Sequence, residues 1–462
     1  MFKKKTVIFF KKTTVSFRQR IKTCFISNKK TMIKQYITQA LAQLRQQPII
    51  SAVSIIGTAL AIFLIMLVVM MQQVKTAPFA PESGRDRFLH VSWGSIKKKN
   101  WNTGDSSNGP WAAQTLNEIY KPLESAEAVS IYYCLVVATP VSIPGKAAES
   151  VDMRETDADY WKVFDFSFID GKPYDQATFD AGLPVAVLSE SVARLLFGTT
   201  ECIGKEFLMN HAPYRVCGVV KDVSTLATKA YAQVWVPYTS TNSTSESEIW
   251  EKFMGNFSCT ILCKSRADFP VVRNEAIRRF DAFNQSIAET GYELINRNRP
   301  YEQEKNIIAF GANYEPDVKA DRRQRYIIFL ILLIVPAVNL SSMTQSRMQQ
   351  RIEEIGVRRA FGSTRKEIMS QIIAENMVVT LLAGLLGLLM SIAFAYLFNN
   401  LLFAQPFSGT FNHPDVDASI LIHGSTFGWA LLFCFILNLL SSGFPAWRAS
   451  RSNIVNAING GK

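Results

Sequence analysis

Aspartate and glutamate are absent from the first 48 residues, and all four charged residue types are absent from four long apolar windows farther on. The first absence leaves twelve Lys and Arg unbalanced. They account for the whole net charge of +12, because the rest of the chain carries 38 basic and 38 acidic residues. This excess lies beside an apolar window rather than on a folded domain. It therefore reads as orientation and attraction to anionic membrane lipid, and no nucleic-acid partner is expected. The windows are 49–71, 326–342, 377–398 and 427–444. A bilayer core of roughly 30 Å takes about 20 helical residues, which the first and third windows supply. The second is short and holds Pro336 and Asn339, so a buried soluble helix is its alternative reading. Its uncharged run extends to Ser346, which favours a span.

Motifs for chemistry are also missing. The 462 residues include four histidines and neither an H-E-x-x-H nor a G-x-S-x-G pattern. His90 and His211 stand alone, which argues against metal ligation. Residues 198–206, GTTECIGKE, approach a phosphate-binding loop. They place five residues between glycines where four are needed, and Glu206 where Ser or Thr must hold magnesium. No catalytic residue, metal or cofactor is expected in this chain. Cysteines give little. Five of them (Cys134, Cys202, Cys217, Cys259 and Cys263) fall between residues 75 and 321, so at least one is unpaired there. Cys259 and Cys263 are about 13 Å apart along an expected strand, too far to bridge. A Cys202–Cys217 disulfide and buried free thiols both remain open.

What is present is a polytopic α-helical membrane protein with four transmembrane helices and a large α+β extracytoplasmic domain between the first and second. Residues 1–31 are a basic extension of low information, with Met32 a more natural start. Residues 32–48 form an amphipathic interfacial helix ended by Pro48, with Ile33, Tyr36, Ile37, Leu41 and Leu44 on one face. Spans follow at 49–72, 326–343, 371–398 and 425–444. The outer domain is 75–321, the inner loop 344–370, the short outer loop 399–424 and the tail 445–462. The charges fit both termini inside. Arg347, Arg351, Arg358, Arg359, Arg365 and Lys366 crowd the inner loop, while the short outer loop has no Lys or Arg. Arg322, Arg323 and Arg325 sit against this trend, beside a large translocated domain where the rule is weak.

The outer domain alternates strand and helix signals. Residues 128–143 read as one strand. Residues 184–198 read as a strand, a Ser189 cap, a short helix and a Gly198 stop. Further strands are expected at 214–223 and 232–238, a helix at 268–285, and a mobile polar loop at STNSTSESE.

The inner segment EEIGVRRAFGSTRKEI, residues 353–368, interleaves Ile, Val and Phe with charges. A helix is expected to run on from the second span and stop at Gly362. Thr364 and Glu367 then stand at capping-box spacing for a new helix. A plain connector needs only a few residues, and this one has about 27. Docking on a partner and a simple linker are both open on composition alone. In the third span Ala383, Gly387, Ser391 and Ala395 form a ridge of small side chains, suited to packing within the chain or between subunits.

The stretch from Asn339 to Ser391, with EIGVRRAFG (354–362) at its centre, resembles the FtsX-like permease domain of ABC transporters. GFPAWRASRSNIVNAI (443–458) is similar to that family's closing segment. PVAVLSESVARLLFG, IGKEF and YRVCGVVKDV resemble the periplasmic core domain of MacB-type permeases. The resemblance implies a bacterial inner-membrane permease that works as a dimer with a second copy or a paralogue. A cytosolic ABC ATPase would bind ATP and Mg, since no ATPase domain stands before the first span here. Glu353, Glu354, Ile355, Gly356, Arg358, Arg359, Phe361 and Gly362 would form the ATPase-coupling element. The implied work is export or extraction of a lipoprotein, peptide, antibiotic or other amphiphile on the outer side. A periplasmic adaptor or outer-membrane channel is compatible with it. An FtsX-like regulator of a cell-wall hydrolase and a membrane sensor without ATPase are the alternatives. The large outer domain favours transport over the regulator.

Overall fold

The computed structural model describes residues 48–102, 105–243, 252–350 and 360–403, with isolated positions elsewhere. They fall into two compact units. One comprises residues 1–69, 325–394 and 422–462, and the other residues 70–324 and 395–421.

Helix α1 spans Pro48–Thr76. Proline suits its first position, where the missing N–H would have no partner anyway. The globular domain then runs through β1 (Phe88–Val91), β2 (Gly94–Lys98), β3 (Ser107–Gly109), β4 (Ala128–Tyr133), β5 (Val137–Ser142), β6 (Glu149–Thr156), β7 (Phe168–Gly171) and β8 (Val185–Ser189). It continues with helix α2 (Glu190–Phe197), β9 (Glu206–Met209), β10 (Ala212–Val220), β11 (Val234–Pro237), β12 (Phe257–Leu262), helix α3 (Phe269–Ser286), β13 (Tyr292–Ile295), β14 (Tyr301–Glu302) and helix α4 (Gln303–Ile307). Helices α5 (Val318–Gln350) and α6 (Arg365–Leu397) follow.

Six strands close on themselves in the order β6, β5, β9, β10, β8 and β11, with β11 returning to β6 in parallel. Closure leaves no open edge in this ring. Its interior holds Val151, Met153, Leu188, Phe207, Val216 and Val236, with Val192 and Leu196 of α2 packed among them. The α+β character expected from the sequence is present. Beyond β6 the sheet continues through β4, β12, β1 and β14. One face packs on α3 and on the short helix Ala113–Ile119, burying Trp111, Leu116, Phe257, Val272 and Phe280. The other buries Phe88, Tyr132, Tyr160, Phe164 and Trp235. Side chains of this size contribute about 1.5–3 kcal/mol each when buried.

Local signals were realised closely around α2. Ser189 Oγ accepts from the Val192 N–H, and Gly198 ends the helix at φ +74°. On α3, Val272, Ala276 and Phe280 are buried, Phe283 packs against them and Ile277 is half-buried. One expectation fails: residues 128–143 are two strands, β4 and β5, not one. The chain turns at 134–136, leaving β12 for the barrel, and the apolar run carries no sign of that turn. All five domain cysteines are free thiols, so Cys202 and Cys217 are not bridged. Cys263 lies just past the end of β12.

Among the described residues, two helices are long and apolar enough to cross a membrane, Ser51–Thr76 and Arg365–Leu397. Phe63 and Phe394 meet edge to face with ring centres 5.4 Å apart. The amphipathic segment at 32–48, the loop STNSTSESE and the window at 427–444 lie largely or wholly outside the described residues.

Candidate functional site

A helix leaves its last carbonyls without partners, and a cation near them is favoured by the helix dipole. At the end of α1 that cation is Arg85, which is 2% exposed. Its Nη1 donates to the carbonyls of Val74 at 2.6 Å and Ala77 at 3.2 Å. Nη2 donates to the Leu226 carbonyl at 2.9 Å, and the guanidinium lies 4.2 Å over the Phe79 ring. Glu82 completes the arrangement. Its Oε2 accepts from Arg85 Nε at 2.7 Å, while Oε1 accepts from the Lys229 and Ala230 N–H groups at 2.7 and 2.9 Å. One buried ion pair thus ties the last turn of α1 to the 226–230 loop. Tyr160 anchors that loop by donating to the carbonyls of Lys229 and Ala230. Val74, Leu226, Ala395 and Phe403 pack together beside it.

A second tie reaches the same turn. Gln303 Nε2 donates to the Lys75 carbonyl at 2.9 Å, and its Oε1 lies 2.7 Å from His90 Nε2. His90 Nδ1 is 3.2 Å from Thr260 Oγ1, which is 2.7 Å from the Tyr132 hydroxyl. A single donor direction satisfies the chain: Tyr132 to Thr260, Thr260 to His90, His90 to Gln303, Gln303 to Lys75. It requires a neutral imidazole with its proton on Nε2. Burial, and then the positive charge of Lys229, push the His90 pKa down to about 3, in agreement. His90 is therefore a structural relay between the central sheet and α1. No group of His, Cys, Asp and Glu suited to a metal occurs among the described residues.

The elbow before α6 is the other candidate. Glu353, Glu354, Ile355, Gly356, Arg358 and Arg359 lie outside the described residues. Phe361 and Gly362 are described. The Phe361 N–H donates to the Val357 carbonyl at 3.1 Å, a helical bond, and Gly362 follows at φ +97°, a left-handed conformation. Thr364 and Glu367 then make the reciprocal capping box: Thr364 N–H to Glu367 Oε2 at 2.9 Å, and Glu367 N–H to Thr364 Oγ1 at 3.3 Å. Phe361 is left 89% exposed at the corner. A rigid turn that presents a phenyl ring to solvent can bury it on another surface.

In α6, Ala383, Ser391 and Ala395 are fully buried. A Cβ at Gly387 would stand 2.7 Å from the Ala59 carbonyl oxygen and 3.0 Å from Ile62. Only glycine permits that approach of α6 to α1. The sequence ridge therefore includes an intrachain helix contact at Gly387.

The sequence reading found the elbow but missed the clamp. Arg85, Glu82, Lys229, His90 and Gln303 are separated by up to 228 positions from the turn they hold. Their one local signal was an ion pair three residues apart, Glu82 and Arg85, just after an apolar window.

Residues 51–279 match the MacB-like periplasmic core domain, and residues 326–454 match the FtsX-like permease C-terminal domain. The macrolide export ATP-binding/permease protein MacB of Acinetobacter baylyi is 25% identical over 308 residues, covering 63% of this chain and 43% of that protein. The ABC transporter permease YknZ of Bacillus subtilis is 23% identical over 229 residues, covering 50% of this chain and 53% of its own length. The chain thus spans about half the length of these relatives or less. The crystal structure of the YknZ extracellular domain aligns over 44% of this chain and 100% of its own at 16% identity, with a TM-score of 0.31.

Proposed function

This chain belongs to the FtsX/MacB-type family of ABC transporter permeases, and we propose that it is the membrane subunit through which an ATPase moves the outer domain. Four spans place both termini in the cytoplasm and residues 75–321 in the periplasm. A separate ABC ATPase binds ATP and Mg and docks on residues 353–362. The permease pairs with a second copy or a paralogue. Substrate is exported or extracted on the outer side, and the macrolide exporter among the relatives supports an amphiphilic cargo.

The observation that carries this reading is the elbow. A left-handed Gly362 and a capping box at Thr364 and Glu367 fix a sharp corner, with Phe361 exposed on it. Exposed aromatics on rigid corners make good anchors, because little conformational freedom is lost when they are buried. The clamp at Arg85 supports transmission, since it ties the last turn of α1 to the 226–230 loop.

The test is affinity capture of the tagged full-length chain from membranes. An ABC ATPase is expected to co-purify with the parent chain and to be lost from the Arg358→Glu, Arg359→Glu variant, which still inserts. Equal capture by parent and variant would contradict docking at the elbow. Absence of any ATPase from both would favour a sensor.

A further inference from the structure

A cavity of about 100 Å³ lies beside the clamp, lined by Ser92, Trp93, Lys229, Arg299, Tyr301 and Asn306. Two cations line it, and neither has a carboxylate at ion-pair distance among the described residues. Arg299 is 2% exposed. Its Nη2 donates to the Gly311 carbonyl at 3.2 Å and its guanidinium lies 4.7 Å over the Tyr301 ring, but Nη1 has no hydrogen-bond partner among the described residues. Among the described residues, Lys229 Nζ donates only to the Ser92 hydroxyl, at 3.3 Å. The carboxylates that act on these two cations are committed elsewhere. Glu82 is held by Arg85 and two backbone N–H groups, and Glu315 by Lys305 and Asn298. Burial holds both the Lys229 and Arg299 pKa below their ordinary values, and Arg154 adds to the effect at Lys229.

A buried charge without a partner is costly, and an opposite charge held by several donors relieves it. The lining offers an ammonium, a guanidinium and the NH2 of the Asn306 side-chain amide, whose Oδ1 accepts from the Ser92 hydroxyl at 3.3 Å. These are donors that suit a tetrahedral oxyanion. The cavity has room for a single such group and none for a macrolide or a peptide. We propose that it binds one phosphate group, either free phosphate or the headgroup of an anionic phospholipid. Bound there, the phosphate bridges the Lys229 loop, which Glu82 and Arg85 tie to α1, and the 299–311 segment that leads to α5. The site rests on the geometry of the domain alone and does not depend on the transport reading.

The test is thermal unfolding of the full-length chain in maltoside micelles, titrated with inorganic phosphate against sodium chloride at equal ionic strength. A parallel titration uses short-chain phosphatidylglycerol, with phosphate-free glycolipid as its control. A saturable rise in Tm with inorganic phosphate identifies the free ion as ligand. A saturable rise with phosphatidylglycerol alone identifies the headgroup. In either case Lys229→Met and Asn306→Asp are expected to weaken binding about tenfold or more, the size of one charge-assisted hydrogen bond, and Lys229→Arg to retain it. Asn306→Asp is half-exposed and sets a carboxylate against the ligand, so it reads out binding even if Lys229→Met fails to fold. No saturable rise with either probe, or equal rises in parent and Asn306→Asp, would overturn the proposal.

Discussion

Arg85 Nη1 lies 2.6 Å from the carbonyl oxygen of Val74, so the last turn of α1 is capped by a buried cation of the globular domain. That guanidinium is itself held by Glu82 and by the Leu226 carbonyl.

Removing that guanidinium is the first test. Arg85→Met leaves the Glu82 carboxylate buried with only its backbone donors, and the Val74 and Leu226 carbonyls without this donor. A loss of about 3–5 kcal/mol is expected, the usual cost of breaking one side of a buried pair. Denaturant unfolding of the full-length chain in detergent measures it. The double variant Arg85→Met, Glu82→Gln is expected to lose less than the sum of the two single changes.

The His90 relay gives a pH dependence with a defined sign. Its pKa is about 3 in the folded chain, against an ordinary value near 6.5. The unfolded chain therefore binds the extra proton first as pH falls. The stability due to neutral His90 is complete above about pH 6.5 and is lost progressively toward pH 3, by a few kcal/mol in all. His90→Gln is expected to flatten this part of the stability–pH curve relative to the parent. Curves of equal slope between pH 6.5 and 4 would contradict a buried neutral imidazole.

Gly387 tests the helix contact. In Gly387→Val the new side chain meets the Ala59 carbonyl and Ile62, and a loss of about 1–3 kcal/mol is expected from overpacking. Leu385→Val, on an exposed position of the same helix, is expected to change stability by less than about 0.5 kcal/mol. Thermal unfolding in detergent compares the two.

The Thr364 cap is a smaller and local effect. Thr364→Ala removes the Oγ1 acceptor for the Glu367 N–H and is expected to cost about 1 kcal/mol. If elbow rigidity matters for docking, the same variant lowers ATPase capture without altering membrane insertion.

Much of this was legible because it is local. Ser189 and Gly198 bracket α2 by side-chain and backbone preferences that act over a few residues, and Gly362, Thr364 and Glu367 do the same at the elbow. The turn at Cys134, Leu135 and Val136 was not legible, because Val136 is buried and the run stays apolar through the bend. The barrel was hidden for another reason. Its closure depends on β11 pairing with β6 in parallel, a relationship between strands about 80 residues apart that no local pattern encodes. The clamp is the extreme case. Arg85, Lys229 and Gln303 are ordinary surface residue types, and only the fold buries the first and brings all three to the end of α1.

The most direct test of the whole scheme is which side of the membrane Phe361 faces. Phe361→Cys and Val271→Cys, both at exposed positions, are compared with the parent chain as blank, using a membrane-impermeant maleimide on intact cells and on inverted vesicles. Position 271 is expected to label in intact cells, and position 361 only in inverted vesicles. Labelling of position 361 in intact cells would put the elbow outside, out of reach of any cytosolic ATPase, and would contradict the proposed coupling.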